Sequence, residues 1–516
     1  MATRARWALS AAALLVLTAC QPNRFVSGWV PYWGASRGSA TVADADVAAL
    51  YSEVSMLWYG TAANGTVPLL GGATSLANTV AAARAAGLPV IPTIYDSSPA
   101  GTMRTVLANP FTRANHVQRI VDLVVAKGYD GIDIDYEVFA FGDGRSRWAA
   151  ITPTWVAFVR ELSTALHARG RLLSVTLPPV WAGGASGYTV YAQDQIAPYV
   201  DRLRLMVYDW SVGVPGPMSP ISWVRSVVAY SSKVVPPAKL QLGLPAYGRQ
   251  WATQKVSTEV CPDDAVARDS ITMREAPGLA QRNAAAVSRH SSGELTFSWD
   301  EKLTGVRTTP RTPPAFTPTG TPIPVLVASG DVAMQQATRL GVTQVTVTCT
   351  IANIAYFPDE TSIRQSAQVA LDAGWSGIIL WAMGYETTPV YQRLAEVAPR
   401  RANGAPGGVL DPPTVSANEV RVTGAAWHPE FDLPVAVRVV VRSAGGPNLG
   451  TVVADRTITA NVMRTGTPRG TGPFHGFDTS VTVLPGEWQV CADVVLWGGA
   501  PGPALGCRDV TVAPAA

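Results

Sequence analysis

Charge is scarce in this chain, and so are histidine and cysteine. Of 516 residues only 15% are charged, five are His and five are Cys. The 40 basic and 37 acidic residues nearly cancel to +3, and no basic stripe stands out for a phosphate backbone to grip, so no nucleic-acid partner is expected. His116 and His167 fall in helical stretches, His290 in a polar segment, and His428 and His475 near the C-terminus. They form no ligand set by spacing, no two cysteines stand as CxxC, and neither a metal nor a cofactor is expected. What is plentiful is apolar material: 47% of the chain, with 16 Trp and 15 Tyr. That supports a large core and excludes overall disorder. At ~100–200 residues per domain, the length means two to four domains or one large barrel with an appendage, and excludes a lone small module.

Residues 1–20 combine Arg4 and Arg6, an apolar run over 8–17 and the tetrapeptide Leu17-Thr18-Ala19-Cys20. This reads as a signal peptide, too short to span a membrane permanently. Small residues before a Cys resemble the bacterial lipobox, in which the thiol is acylated and becomes the first mature residue; the alternative is an ordinary cleavage site with a fortuitous Cys. Losing residues 1–19, with Arg4 and Arg6, leaves 38 basic against 37 acidic residues, a balance of +1. The expectation is an exported protein, held by lipid on Cys20 at the outer face of the bacterial cell membrane, or secreted. Export favours oxidised thiols. Four cysteines then remain, and the economical pairing is one disulfide per region, Cys261 with Cys349 and Cys491 with Cys507.

From 25 to 386, β-rich apolar runs alternate with helical periodicity, the pattern of a parallel sheet built from βα units. Eight such runs occur, at 26–33, 54–59, 88–95, 131–137, 172–177, 203–208, 240–244 and 377–381. Between them, Val117, Ile120, Val121 and Val124 recur at i, i+3, i+4, i+7 before Gly128, and Trp155, Phe158, Val159, Leu162 and Leu166 repeat the pattern before Gly170. Eight strands, with no GxGxxG after the first, favour a (β/α)8 TIM barrel over an open doubly wound sheet.

One connection is too long for a barrel that allots about 30 residues to each βα unit. The 129 residues between Tyr247 and Gly377 predict a small insertion between strand seven and its helix, at about 252–358. Its strands are expected at 323–328 and 342–356, stapled by Cys261 and Cys349, with a returning helix at 361–373. After a linker at 400–413, rich in Gly and Pro, alternating segments at 419–423, 435–441, 479–484 and 488–496 predict a C-terminal all-β sandwich over 414–516.

The most informative segment is Tyr129-Asp130-Gly131-Ile132-Asp133-Ile134-Asp135-Tyr136-Glu137. Side chains alternate along a strand, so Asp133, Asp135 and Glu137 share one face and the isoleucines the other. In a barrel the acids point inward, ~6.6 Å apart along the strand, in a partly desolvated interior. Like charges that close do not all stay ionised, so at least one carboxyl should keep its proton near neutral pH, as a general acid requires. Glu137 stands last in the row, at the strand end where barrel enzymes place their active sites. An exposed acidic strand is disfavoured by the apolar flanks, and a Ca or Mg cage by a poorly hydrated interior.

The run from Asp130 to Glu137 resembles the DxxDxDxE signature of glycoside hydrolase family 18, the chitinase-like enzymes. Leu205-Met206-Val207-Tyr208-Asp209 is similar to the family's MxYD motif, Leu242-Gly-Leu-Pro-Ala-Tyr247-Gly-Arg249 to its strand-seven motif, and Gly377-Ile-Ile-Leu-Trp381 to its closing strand. Gly28-Trp-Val-Pro-Tyr32-Trp33 and Tyr356-Phe-Pro-Asp359-Glu360 are most similar to the peptidoglycan-directed, spore-lysin-like branch. The resemblance runs from Arg24 to Pro399. One departure stands out: many chitinases carry SxGG after the third strand, where this chain has Pro92-Thr-Ile-Tyr95-Asp96-Ser-Ser.

The resemblance implies a retaining hydrolase of β-linked N-acetylglucosamine polymers, of peptidoglycan or chitin type, acting by substrate-assisted catalysis. Glu137 would protonate the glycosidic oxygen while the substrate's 2-acetamido carbonyl attacks C1, so carboxyl spacing does not predict stereochemistry here. Asp135 would orient the acetamido N–H, Asp133 would exchange hydrogen bonds with Asp135, and Tyr208 would hold the acetamido oxygen. Asp209 and Met206 would line the subsite, Trp381 would floor it, and Tyr247 would contact sugar, with Asp130 and Gly131 structural members of the motif. Tyr32, Trp33 and Tyr95 are sugar-binding candidates by their strand-end positions. In the C-terminal module, Trp488 and Trp497 are either sugar contacts or sandwich core, and the module reads as a spacer or cell-wall adhesion unit. The competing reading is a non-catalytic lectin of the cell envelope; such relatives commonly lose the final acid, and Glu137 is present.

Overall fold

The computed structural model describes residues 25–256, 269–310, 342–397, 407–427, 435–446, 448–464, 474–495 and 501–514. Cys20, Cys261, Trp497, the 323–328 segment and the side chain of Cys349 lie outside the described residues.

Eight parallel strands close into a barrel in chain order: Phe25–Pro31, Glu53–Tyr59, Thr93–Tyr95, Gly131–Asp135, Leu172–Leu177, Arg202–Met206, Leu240–Pro245 and Gly377–Trp381. The first strand pairs with the last, Phe25 opposite Gly377, so the sheet has no free edge. The connecting helices form for local reasons. In Pro110–Lys127, the Asn109 side chain accepts the Phe111 N–H, Pro110 occupies the first turn, and Gly128 at φ 62° ends the helix in a left-handed turn. His116, Val117, Ile120, Val121 and Val124 are buried on one face. The aliphatic members pack in the same core as Ile132 and Ile134, the outward face of the carboxylate strand. Each Val or Ile so buried contributes roughly 1.5–3 kcal/mol. Gly131 is required by close approach: a Cβ there would stand 2.5 Å from Leu172 Cβ and 2.6 Å from its carbonyl oxygen.

The barrel interior is polar. Arg204 of strand six donates to Glu53 Oε1 at 2.7 Å, Ser55 Oγ at 2.6 Å and Gln241 Oε1 at 3.0 Å, all of them buried. Arg202 joins Glu53 Oε2 at 3.1 Å.

The insertion is a five-stranded antiparallel sheet in the spatial order Asp269–Thr272, Tyr247–Val256, Val342–Phe357, Leu295–Pro310, Ser288–Arg289. It starts at Tyr247, ahead of the expected 252, because only Ala246 separates strand seven of the barrel from it. The returning helix, Glu360–Asp372, opens with a capping box in which the Asp359 side chain accepts the Ser362 N–H.

The C-terminal unit is all β. One sheet carries Gly407–Leu410, Glu419–Trp427, Phe474–Thr482 and Val462–Met463, with Thr414–Ser416 also on Glu419–Trp427; the other carries Val452–Thr459, Ala436–Ser443, Gly486–Val495 and Pro501–Val512. Val420, Val422 and Phe477 from the first meet Val437, Val439, Val490 and Val494 from the second in one core. The 407–410 stretch, assigned to a linker by its glycines, is a strand because its backbone pairs with Gly424–Trp427. Cys491 and Cys507 sit opposite each other in neighbouring strands and are disulfide-bonded. Trp488 is half-buried against the sandwich core, its indole N–H on the Leu484 carbonyl at 2.9 Å.

Candidate active site

Strand alternation sends Asp133 and Asp135 inward, and the strand ends at Asp135, so Glu137 stands two residues on, at the entry to the short helix Val138–Phe141. Asp133 is the deepest of the three and is surrounded by donors. Trp29 Nε1 at 3.3 Å, Thr93 Oγ1 at 2.9 Å, Thr176 Oγ1 at 2.9 Å and Arg204 Nη1 at 3.3 Å all reach Asp133 Oδ2. The expected hydrogen-bond exchange with Asp135 is absent among the described residues: Asp133 is held by four other side chains, and Asp135 Oδ1 is buried without a partner. Burial raises the Asp135 carboxyl well above the usual range, and the neighbouring Glu137, Asp133 and Asp96 charges raise it further. Burial, then Asp209 and Asp96, push Glu137 up to about 7. The cluster therefore keeps a proton into the neutral range, shared between coupled groups.

Strand six supplies the next layer. Met206 ends it; Tyr208 and Asp209 follow, Asp209 in a left-handed conformation at φ 60°. Asp209 is already engaged: Tyr247 donates to it at 2.6 Å, and Arg249 at 3.0 Å and 3.1 Å to its two oxygens. The Tyr247 hydroxyl is thus committed as a donor to Asp209. Burial lifts the Tyr208 phenol well above its ordinary value, so it enters the cleft as a neutral donor.

Trp381, ending strand eight, meets Trp29 edge-on at 5.9 Å and Trp33 at 6.0 Å. Trp33 is 58% exposed, and its indole N–H reaches Tyr385 Oη at 3.1 Å. Asp135, Glu137, Met206, Tyr208, Asp209, Tyr247, Trp381, Tyr32, Trp33 and Tyr95 all line one cleft of about 580 Å³. Asp133 lies beneath it. Asp130, at the start of the strand, accepts the Val90 N–H at 2.8 Å and holds strand three in place. A second cleft of about 440 Å³ shares Glu137, Met206, Tyr208 and Asp209 with the first, and adds Trp181, Trp210, Trp223 and Tyr188. Glu137 is therefore on the ridge between two aromatic-walled clefts.

Sequence reasoning missed Arg204, Arg249, Trp181 and Trp210. For Arg204 a signal existed: Arg202, Arg204 and Met206 alternate in strand six as the acids do in strand four, so two cations face inward where two carboxylates do.

The family model for glycosyl hydrolases family 18 matches residues 30–386. A Bacillus subtilis (strain 168) protein named for a sporulation-specific glycosylase, YdhD, is 32% identical over 148 residues, 28% of this chain and 33% of that protein. A cortical fragment-lytic enzyme of the same organism is 26% identical over 198 residues, 38% and 43% of the respective lengths. The chain thus spans a third to less than half of these two relatives. Among solved structures, a chitinase from Chromobacterium violaceum ATCC 12472 superposes with a TM-score of 0.55 at 18% identity, covering 73% of this chain and 100% of that one. The spore cortex-lytic enzyme SleL of Bacillus megaterium QM B1551 gives 0.54 at 15%, covering 74% and 75%. At those identities the likeness is one of fold.

Proposed function

As the chain belongs to family 18 of the glycosyl hydrolases, we propose that it hydrolyses polysaccharide containing β-linked N-acetylglucosamine, with retention and with Glu137 as proton donor. The substrate's acetamido oxygen bonds to C1 as the C1–O bond to the leaving sugar breaks, and the Glu137 proton goes to the departing oxygen. Glu137, now a carboxylate, then takes a proton from the water that reopens the oxazolinium at C1. The observation that carries this reading is the placement of Glu137, an acid that ionises only at about pH 7, on the ridge shared by both clefts. Asp135 supports it, since its buried Oδ1 has no donor among the described residues and an acetamido N–H would supply one. Tyr208 is the proposed donor to the acetamido oxygen, and Trp381 the apolar floor under the methyl group.

A chain of the bacterial envelope is the substrate we favour. The names of the two Bacillus relatives support that direction, as does the leader at 1–20, from which we infer export and a lipid on Cys20. The test is mass spectrometry of products from purified peptidoglycan and from N-acetylglucosamine oligomers, with wild type and Glu137→Gln side by side. Products released by the wild type alone support the assignment. Binding without turnover by the wild type would transfer the reading to a lectin.

A further inference from the structure

Asp96 is 1% exposed, at the end of strand three, in the segment where the SxGG pattern is replaced. Its backbone N–H donates to the Asp135 carbonyl at 3.1 Å, which ties it to the carboxylate strand. Its side chain spans to the other side of the acid: Oδ2 accepts the Phe139 N–H at 2.9 Å, and Oδ1 accepts Thr61 Oγ1 at 3.3 Å. Phe139 lies two residues past Glu137. On the near side, Tyr191 donates its hydroxyl to the Tyr136 carbonyl at 2.6 Å. The backbone carrying Glu137 is therefore clamped at 136 by a phenol and at 139 by a carboxylate. An amide or hydroxyl in place of Asp96 keeps one acceptor for the Phe139 N–H, whereas the carboxylate gathers Phe139, Thr61 and Ser98 and alone brings a charge into this buried place.

We propose that Asp96 is a positioning residue for Glu137, fixing the turn that presents the acid and setting the pH at which the acid is spent. This rests on Glu137 being the proton donor. Burial pushes both carboxyls up, Asp96 to about 6 and Glu137 to about 7, and the Asp96 charge is itself one of the causes that raise Glu137. Once ionised it repels the charge Glu137 would acquire, and Glu137 keeps its proton to higher pH. The groups facing the pair are Asp135 on strand four, Asp143 beyond the short helix, Asp209 after strand six, and the phenols of Tyr95, Tyr136, Tyr191 and Tyr208. Arg104 pairs with Asp143 at 3.0 Å and Arg249 with Asp209, while none of the ion pairs among the described residues involves Asp96. Its charge therefore acts on Glu137 without a cation bonded to it.

The experiment uses the full chain with Asp96→Asn and Asp96→Ser, both of which keep an acceptor and lose the charge. Two readouts are taken: the pH profile of kcat on an N-acetylglucosamine oligomer, and the ¹³C carboxyl titration of Glu137 without substrate, assigned with Glu137→Gln. We expect the basic limb of kcat and the Glu137 titration to move to lower pH by of the order of one unit, with KM within about twofold of wild type. A profile and titration that superimpose on wild type overturn the proposal, as does loss of folding in both variants, which would make Asp96 a residue of the fold alone. Absence of wild-type turnover would overturn the hydrolase reading instead, and the titration would still decide whether Asp96 acts on Glu137.

Discussion

Arg204 Nη1 lies 3.3 Å from Asp133 Oδ2 in the sealed interior of the barrel, with both side chains fully buried. The same guanidinium holds Glu53, so a cation from strand six anchors the first acid of the row and an acid from strand two together. Charges taken this far from water persist only when paired and hydrogen-bonded, and removing one partner strands the others.

Arg204→Met should therefore destabilise the protein by about 3–5 kcal/mol, seen as a lower midpoint in chemical denaturation. Adding Asp133→Asn should recover part of that loss, because Glu53 keeps Arg202 while Asp133 has no second cation paired with it among the described residues. A single variant as stable as wild type would mean the network is not under the strain of burial argued for it.

Glu137→Gln keeps the shape of the side chain and removes its transferable proton. Turnover of an N-acetylglucosamine oligomer should fall by about 10²–10⁴-fold, while calorimetry reports sugar affinity close to wild type. If turnover is unchanged, the donor is another acid, and Asp209 is the next to substitute.

Stability should fall as pH rises from about 4.5 to about 7, and Glu294 is a main cause. It is 1% exposed, burial pushes its carboxyl up to about 7, and each of its oxygens accepts a backbone N–H, from Met218 at 2.8 Å and Ser219 at 2.6 Å. A carboxyl with a raised folded pKa binds its proton more tightly in the folded state. Its stabilisation is whole below the unfolded value and is lost as pH climbs through the folded one. Glu294→Gln should flatten the slope in that window by ~3 kcal/mol in all, measured as urea midpoints at pH 4.5, 6 and 7.5. An undiminished slope assigns the effect to Asp135, Glu137 or Asp130.

Two expectations concern export. Cys20→Ser should leave the protein unlipidated and shift it from the detergent phase to the aqueous phase on partitioning. Non-reducing peptide mapping of the exported protein should find Cys261 joined to Cys349; free thiols or crossed pairs would remove that bridge from the account of the insertion.

The barrel and the acidic row were legible in the sequence because both depend on short-range alternation. Ile132 and Ile134 could pack under helices only if Asp133 and Asp135 faced inward, and they do, while Glu137 reaches the cleft from beyond the strand end. What escaped reading was decided across strands. The pairing of Asp209 with Arg249 joins residues 40 apart, and nothing near either residue announces the other. Residues 407–410 misled in the opposite sense: the glycines describe a flexible chain, yet antiparallel pairing with Gly424–Trp427 makes them a strand. Tyr247 lines the cleft, but that its hydroxyl donates to Asp209 was not legible, since a motif position does not say where a hydroxyl points.

Tyr247 and Arg249, which brace Asp209, stand on the first strand of the inserted sheet and not on the barrel. The cleft is thus walled by two scaffolds, the barrel that carries Asp135 and Glu137 and the inserted sheet that carries Tyr247 and Arg249. Because the inserted sheet pairs only within itself, a change of length in its strands leaves the strand register of the barrel, and with it the setting of Asp135 and Glu137, where it is.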